Sequence, residues 1–385
     1  MTNWEAIHAI IESPTAFPAY NLSGLAVYYY SLYQQTGEAT YNQQAKHLFN
    51  QQLAEIEAQL TSADFNLKHT NFCALAWLHK QCKPLWHYET SLFARLDRCL
   101  LEEANRLIRT TASPNWGPLL HIMRYFLERL PDATVAHYLH EVVTTAYGST
   151  RQSLAQTQPG GTIQLGLANG LVGELLVLID IYNTGIKPAI ILDIVRNGIT
   201  ALLHTKREAD FLAGRYSIFP DSVDHRWQTP VYSNNLSWGH GVDLGVSLVL
   251  YKAQQLLGDD AELAKIAELV GLNTLLRTEP KTTGLSSSQF CQGTAGVAYL
   301  YHQLFLLSHN PAYQQGYQFW LGQTQNWLGQ ELPTQFYRGR EQRSLCGVLG
   351  VSIVLLALVD APASAAPRRN LAAVDMVCLS KANAL

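Results

Sequence analysis

The feature that most constrains this chain is a recurring pair of glycines, each pair opening a strongly apolar stretch. It occurs as ANGLVGELLVLIDIY (168–182), CQGTAGVAYLYHQLF (291–305) and CGVLGVSIVLLALVD (346–360), and as GHGVDLGVSLVLYKA (239–253) with one extra residue between the glycines. Weaker copies lie in NLSGLAVYYYSLY (21–33), in NFCALAWLHKQC near Asn71, and in WGPLLHIMRYFLERL (116–130), where Pro118 and His121 stand in for the glycines. The starts at 170, 241, 293 and 347, with degenerate ones near 24, 72 and 118, set a period of about 50 residues. Such a period marks stacked units, none of which can bury its own apolar face alone.

The unit is helical. Segments 41–60, 91–110 and 170–185 space their apolar residues three and four apart, which gathers them on one helix face, and alternating strand-like stretches are scarce. Seven such units predict an all-α chain folded as an α/α toroid, a double-layered barrel of seven helix-pair repeats. Its extent is one domain over residues 1–360, with 361–385, rich in alanine and proline, as a flexible tail. A length of 385 residues would otherwise suit two or three ordinary domains, since single cores stop growing near ~250–300 residues. Composition favours the ring: 48% of residues are hydrophobic and only 15% charged, against roughly 25% charged in an average soluble domain. Inner helices touching both neighbours and an outer layer would be apolar all round. Glycines at their starts would let several loops crowd around the axis and gather helix N-termini and backbone N–H groups there.

Several function classes are excluded early. A formal charge of −3, from 27 basic and 30 acidic residues, offers no footprint for nucleic acid or an anionic membrane. The start, MTNWEAIHAIIESP, lacks the basic region and cleavage site of a secretory signal, and the longest apolar run, Val348 to Val359, falls short of the ~18–20 residues of a membrane span. The expected location is cytoplasmic, where six scattered cysteines read mostly as buried thiols.

The motifs LGLANGLVG (165–173), SWGHG (237–241) and FCQGTAG (290–296), at this spacing, resemble the lanthionine synthetase C-like family, the cyclases of lanthipeptide biosynthesis. The likeness runs from about residue 15 to 360. It implies an α/α toroid with a central zinc that activates a cysteine thiol of a precursor peptide for addition to a dehydro-amino acid, closing a thioether ring. Zinc suits that task because it deprotonates a thiol of ordinary pKa ~8.5 and, with three protein ligands, leaves a fourth position open for the substrate sulfur. In the family the ligands come from a W-C-Y-G and a C-H-G motif, and an acid for the enolate carbon comes from the histidine of G-L-x-H-G. The implied partners are the precursor peptide and a lanthipeptide dehydratase.

Carried over residue by residue, the resemblance keeps the scaffold and departs at the chemistry. Trp238 matches the tryptophan of W-C-Y-G, but Gly239 stands at the cysteine and His240 at the tyrosine. Cys291 matches the cysteine of C-H-G, while Gln292 replaces its histidine. Asn169 stands where the acid should be, and Asn235 takes the place of an upstream arginine. Two ligands of three and the acid are replaced, which weighs against the standard zinc mechanism.

The candidate residues follow. Asn169, His240 and Trp238 occupy the catalytic positions, and Asn235, Gln292 and Asp243 are placed for substrate. His240, Cys291 and Cys346 form the one alternative metal set with sensible ligand chemistry, against which stands a hydrogen-bonded His240 beside two buried thiols. Asp243 and Glu174 are expected as exposed carboxylates. The long segment 215–240, with Asp221, Asp224, His225, Arg226 and Trp227, reads equally as one wall of a peptide channel or as a surface lid. Two functions remain: thioether ring formation with altered zinc chemistry, or a catalytically inactive subunit that binds the peptide beside a dehydratase or another modifying enzyme.

Overall fold

The computed structural model describes residues 3–11, 22–61, 72–88, 90–109, 116–148, 161–168, 170–258, 260–337 and 347–358. Its helices are α1 (Asn3–Ile11), α2 (Leu22–Thr36), α3 (Ala39–Thr61), α4 (Phe72–Cys82), α5 (Ser91–Arg109), α6 (Trp116–Arg129), α7 (Ala133–Tyr147), α8 (Leu171–Asn183) and α9 (Pro188–His204). They continue as α10 (Asp243–Leu256), α11 (Ala261–Thr274), the single turn α12 (Pro280–Thr283), α13 (Thr294–Ser308), α14 (Pro311–Glu331) and α15 (Val348–Leu358).

The repeat starts become the inner layer. Helices α2, α4, α6, α8, α10, α13 and α15 each touch the next, and α15 touches α2, so the inner layer is a closed ring. Burial follows this placement. Every residue of α8 from Leu171 to Ile179 is buried, as is every residue of α10 from Asp243 to Tyr251 and of α13 from Thr294 to His302. The outer helix α5 instead buries one stripe, Leu92, Phe93, Leu96, Asp97, Leu100 and Ala104, at the three-four spacing of a helix with one wet face. Outer helices α3, α7, α9, α11 and α14 pack on the inner helices that precede them.

The seventh unit is assembled from both ends of the chain. Among the described residues, α15 is covered by α1, which also reaches α14, and His8 of α1 meets the Tyr28 hydroxyl of α2 at 3.2 Å. The toroid is otherwise joined by one small sheet absent from the all-α expectation: β1 (Thr162–Gln164) pairs antiparallel with β2 (Ser222–Asp224), Ile163 opposite Val223.

The glycine pairs act through close approach. The loop before α8 folds back over its own helix start, so that Leu165 and Gly166 accept the N–H groups of Val172 at 3.2 Å and Gly173 at 3.4 Å. Ser287 likewise accepts the Thr294 N–H at the start of α13, at 3.0 Å. A Cβ on Gly173 would collide with the Leu167 carbonyl, and one on Gly296 would strike the Phe290 carbonyl and lie 2.7 Å from the Trp238 Cβ. This revises one expectation: at α8 and α13 these N–H groups serve their own loops and are not offered to the axis.

Buried polar groups are tied between layers. Asp97 receives Arg129 through two bonds at 2.9 and 3.2 Å and the Tyr125 hydroxyl at 2.6 Å. His79, bonded to the Tyr88 hydroxyl at 2.8 Å, is pushed down to about 3 by burial and by the nearby charges of Arg129 and Lys83. Burial alone lowers His302 to about 4.

Two outcomes follow. Gly296→Ala should cost about 2 kcal/mol or more, since backbone must move to admit the methyl. Gly322→Ala, in α14 with nothing within 4 Å of its Cβ position, should stabilise by up to about 1 kcal/mol; chemical denaturation of both checks the contrast. The two histidines bind protons in the unfolded chain below their ordinary 6.5 but not in the folded one until about 3 and about 4. Stability from this source is therefore complete above pH 6.5 and declines as pH falls toward 4, and His302→Phe should flatten that limb of the denaturation midpoint against pH.

Candidate functional site

The loops that precede α8, α10 and α13 meet at one end of the ring, and main-chain hydrogen bonds stitch them. Leu165 donates to the Asp221 carbonyl at 2.9 Å, Leu236 to Thr283 at 2.9 Å, and Gly239 to Cys291 at 2.7 Å. The turn carrying Trp238, Gly239 and His240 is wound locally: Asn235 Oδ1 accepts the Ser237 N–H at 2.7 Å, and Ser237 accepts from Gly241 through its carbonyl at 2.6 Å and from His240 through its hydroxyl at 3.3 Å. These side-chain to backbone bonds are the usual chemistry of Asn and Ser in tight turns.

The structure does bring the two motif positions together. A Cβ built on Gly239 would lie 3.7 Å from the Cys291 Cβ and 2.9 Å from the Cys291 carbonyl oxygen. The loops have thus closed to direct main-chain contact at the two positions where the sequence resemblance implies metal ligands. Trp238 is only 3% exposed, its ring 5.5 Å from that of Phe290, so it wedges the turn against the start of α13. This corrects its placing at a catalytic position, because little of it reaches a ligand. Gln292 is half-buried and Cys291 buried, whereas His240 is exposed. Asn169 and Cys346 lie outside the described residues.

The donor set does not fit a zinc ion. Gly239 has no side chain, a glutamine amide is a poor zinc ligand, and among the described residues no group of three or more His, Cys, Asp or Glu could hold a metal. Of the set His240, Cys291 and Cys346, the first two differ in exposure and the third is outside the described residues.

The carboxylates need a larger correction. Asp243 is not an exposed substrate-binding group; it is 2% exposed, pairs with Arg277, itself 1% exposed, and accepts the N–H groups of Phe219 at 2.9 Å and Ile218 at 3.2 Å. Arg277 also donates to the Tyr216 carbonyl at 2.9 Å and to the Ser217 hydroxyl at 3.3 Å. Together they bolt the segment 216–219 onto the ring. Glu174 is likewise fully buried and receives the Tyr147 hydroxyl at 2.9 Å. Arg277 escaped the sequence reading, since its partner is distant in the chain; the signal was one cation at the end of an apolar helix, LNTLLRT (272–278).

So anchored, segment 215–240 is an ordered cover whose own Phe219 and Val223 are buried in the core. Asp224 winds its exposed turn by accepting from the main chain of Arg226 at 3.0 Å and Gln228 at 2.8 Å and from the Thr229 hydroxyl at 2.7 Å, and these bonds hold its carboxyl below the ordinary aspartate value. Burial raises the Asp221 carboxyl, a hydrogen bond from Ser233 opposes this, the Asp243 charge adds to it and His240 opposes it. Trp227 packs partly against the core, and His225 and Arg226 are exposed. Arg277→Met should leave Asp243 buried without a counter-charge, cost about 3–5 kcal/mol, and open segment 215–240 to limited proteolysis.

The model of the family described as "Lanthionine synthetase C-like protein" matches residues 21–368. Five solved chains resemble this one. One of them, "Nisin cyclase", superposes with a TM-score of 0.75 at 14% identity, over 97% of this chain and 98% of that one, a likeness of fold. The chain matches no curated protein sequence. With the family match covering most of the chain and the closed ring of seven inner helices behind it, this protein belongs to the lanthionine synthetase C-like family.

Proposed function

We propose that this protein serves ribosomal peptide modification by holding a precursor peptide over the axial loops, without the zinc-activated thiol addition of a lanthipeptide cyclase. The observation that carries this reading is the hydrogen bond from Gly239 to Cys291, 2.7 Å long, where two metal ligands would otherwise face each other. It fastens the loops by main chain alone, so their arrangement asks for no ion. Chemistry agrees: a peptide thiol near its free pKa of ~8.5 is mostly protonated at neutral pH, and Asn169 has no proton to deliver to an enolate. Ring closure or other chemistry would then fall to a separate enzyme, with a dehydratase as the natural partner.

The retained Cys291 thiol, at the mouth of α13 and beside Gly239, favours a second reading, a cyclase with the variant ligands His240, Cys291 and Cys346. Metal content separates the two. Protein purified without chelator should carry far less than one zinc per chain, and its thermal midpoint should not change with EDTA. About one zinc per chain, lost in Cys291→Ala or His240→Ala, would sink the peptide-holding reading in favour of the enzyme.

A further inference from the structure

A cavity of about 340 Å³ opens between α14 and the segment 278–285, within the range of small-ligand sites. Its α14 wall is Trp320, Gln323, Asn326, Trp327 and Gln330. Thr294, the first residue of α13 and three beyond Cys291, closes one side, so the cavity adjoins the axial loops on their outer flank.

Three features point to the kind of ligand. First, the wall is an internal repeat: WLGQ at 320–323 recurs as WLGQ at 327–330, which sets two tryptophans and two glutamines on one helix face at matching positions. The offset of seven residues is about 10.5 Å along the axis. Second, α14 carries no charged residue before Glu331, although an outer helix ordinarily shows charge to water. Third, the amides of Gln323, Asn326 and Gln330 make no hydrogen bond among the described residues, whereas the hydroxyls of Thr283 and Thr294 are already engaged by Glu279, Ser287 and Thr324. Trp320 forms the floor, 3% exposed, and Trp327 is a half-buried side wall.

We infer that this cavity anchors an uncharged, extended peptide segment. Each carboxamide offers donors and an acceptor, the same pairing a peptide bond presents. The half-buried Trp327 offers a ring face to an apolar side chain or a proline ring. In a polyproline conformation every third residue returns to the same face after about 9–10 Å, close to the seven-residue offset between Gln323 and Gln330. Absence of charge disfavours anionic and cationic ligands alike. The inference rests on the peptide-holding reading and adds to it a docking subsite beside the axial face, for a stretch of the peptide distinct from the one held over the loops.

The test uses the full chain and a blocked nonapeptide with proline at every third position and alanine or serine elsewhere, titrated by calorimetry and followed in the indole N–H signals. Expected is saturable binding, weakened about tenfold in Trp327→Ala and in Gln323→Ala combined with Gln330→Ala, with melting temperature retained. Trp327→Phe, which keeps a ring, should bind nearly as well and guards against misfolding of the alanine variant. No saturable binding, equal binding by the α14 variants, or a preference for maltotetraose would overturn the proposal. In each of these cases a longer Cys/Ser/Thr-rich peptide that still binds, and is weakened by Gln292→Ala, leaves the peptide-holding reading standing.

Discussion

Closing seven helices into a ring buries most of the surface of its inner helices, and the rest of the molecule answers to that constraint. Helices α8, α10 and α13 are buried through consecutive turns, so polar groups on them must find partners inside. Glu174 finds Tyr147 and Asp243 finds Arg277, while Ser247 donates to the Ala267 carbonyl at 2.7 Å. The same crowding leaves no room for a Cβ where loops fold over helix starts, which is why glycine recurs there and why its replacement would move backbone.

The site inherits this rigidity. Its loops are fixed by their own turns, by the bonds between them, and by buried carboxylates that brace them from behind. Asp243 with Arg277 secures the cover at 216–219. Glu331 secures the 287–291 loop by accepting the Ser288 N–H at 2.9 Å and the Tyr337 hydroxyl at 3.1 Å. The main-chain bond from Gly239 to Cys291 ties two of these loops together without any side chain.

Much of this architecture was legible before any coordinates. The spacing of glycine pairs located all seven inner helices, including the degenerate starts near Gly24, Phe72 and Pro118 that fall in α2, α4 and α6. The departures at Gly239, Gln292 and Asn169 were visible as substitutions at motif positions. The burial of Asp243 and Glu174 was not, because one sequence does not tell a charge facing water from one facing a cation on another helix. The doubled WLGQ of α14 stands in the sequence, but its meaning depends on a facing segment that closes the cavity.

By itself, then, the sequence determined the helical unit, its repetition, the apolar excess and the chemistry lost from the motifs, because these depend on local spacing and on which atoms a side chain carries. Only the tertiary structure decided that α1 completes the seventh unit, that Arg277 neutralises Asp243, and that Gly239 lies against Cys291. Each joins groups distant along the chain, and such pairings are set by how the whole ring closes and not by any stretch within it.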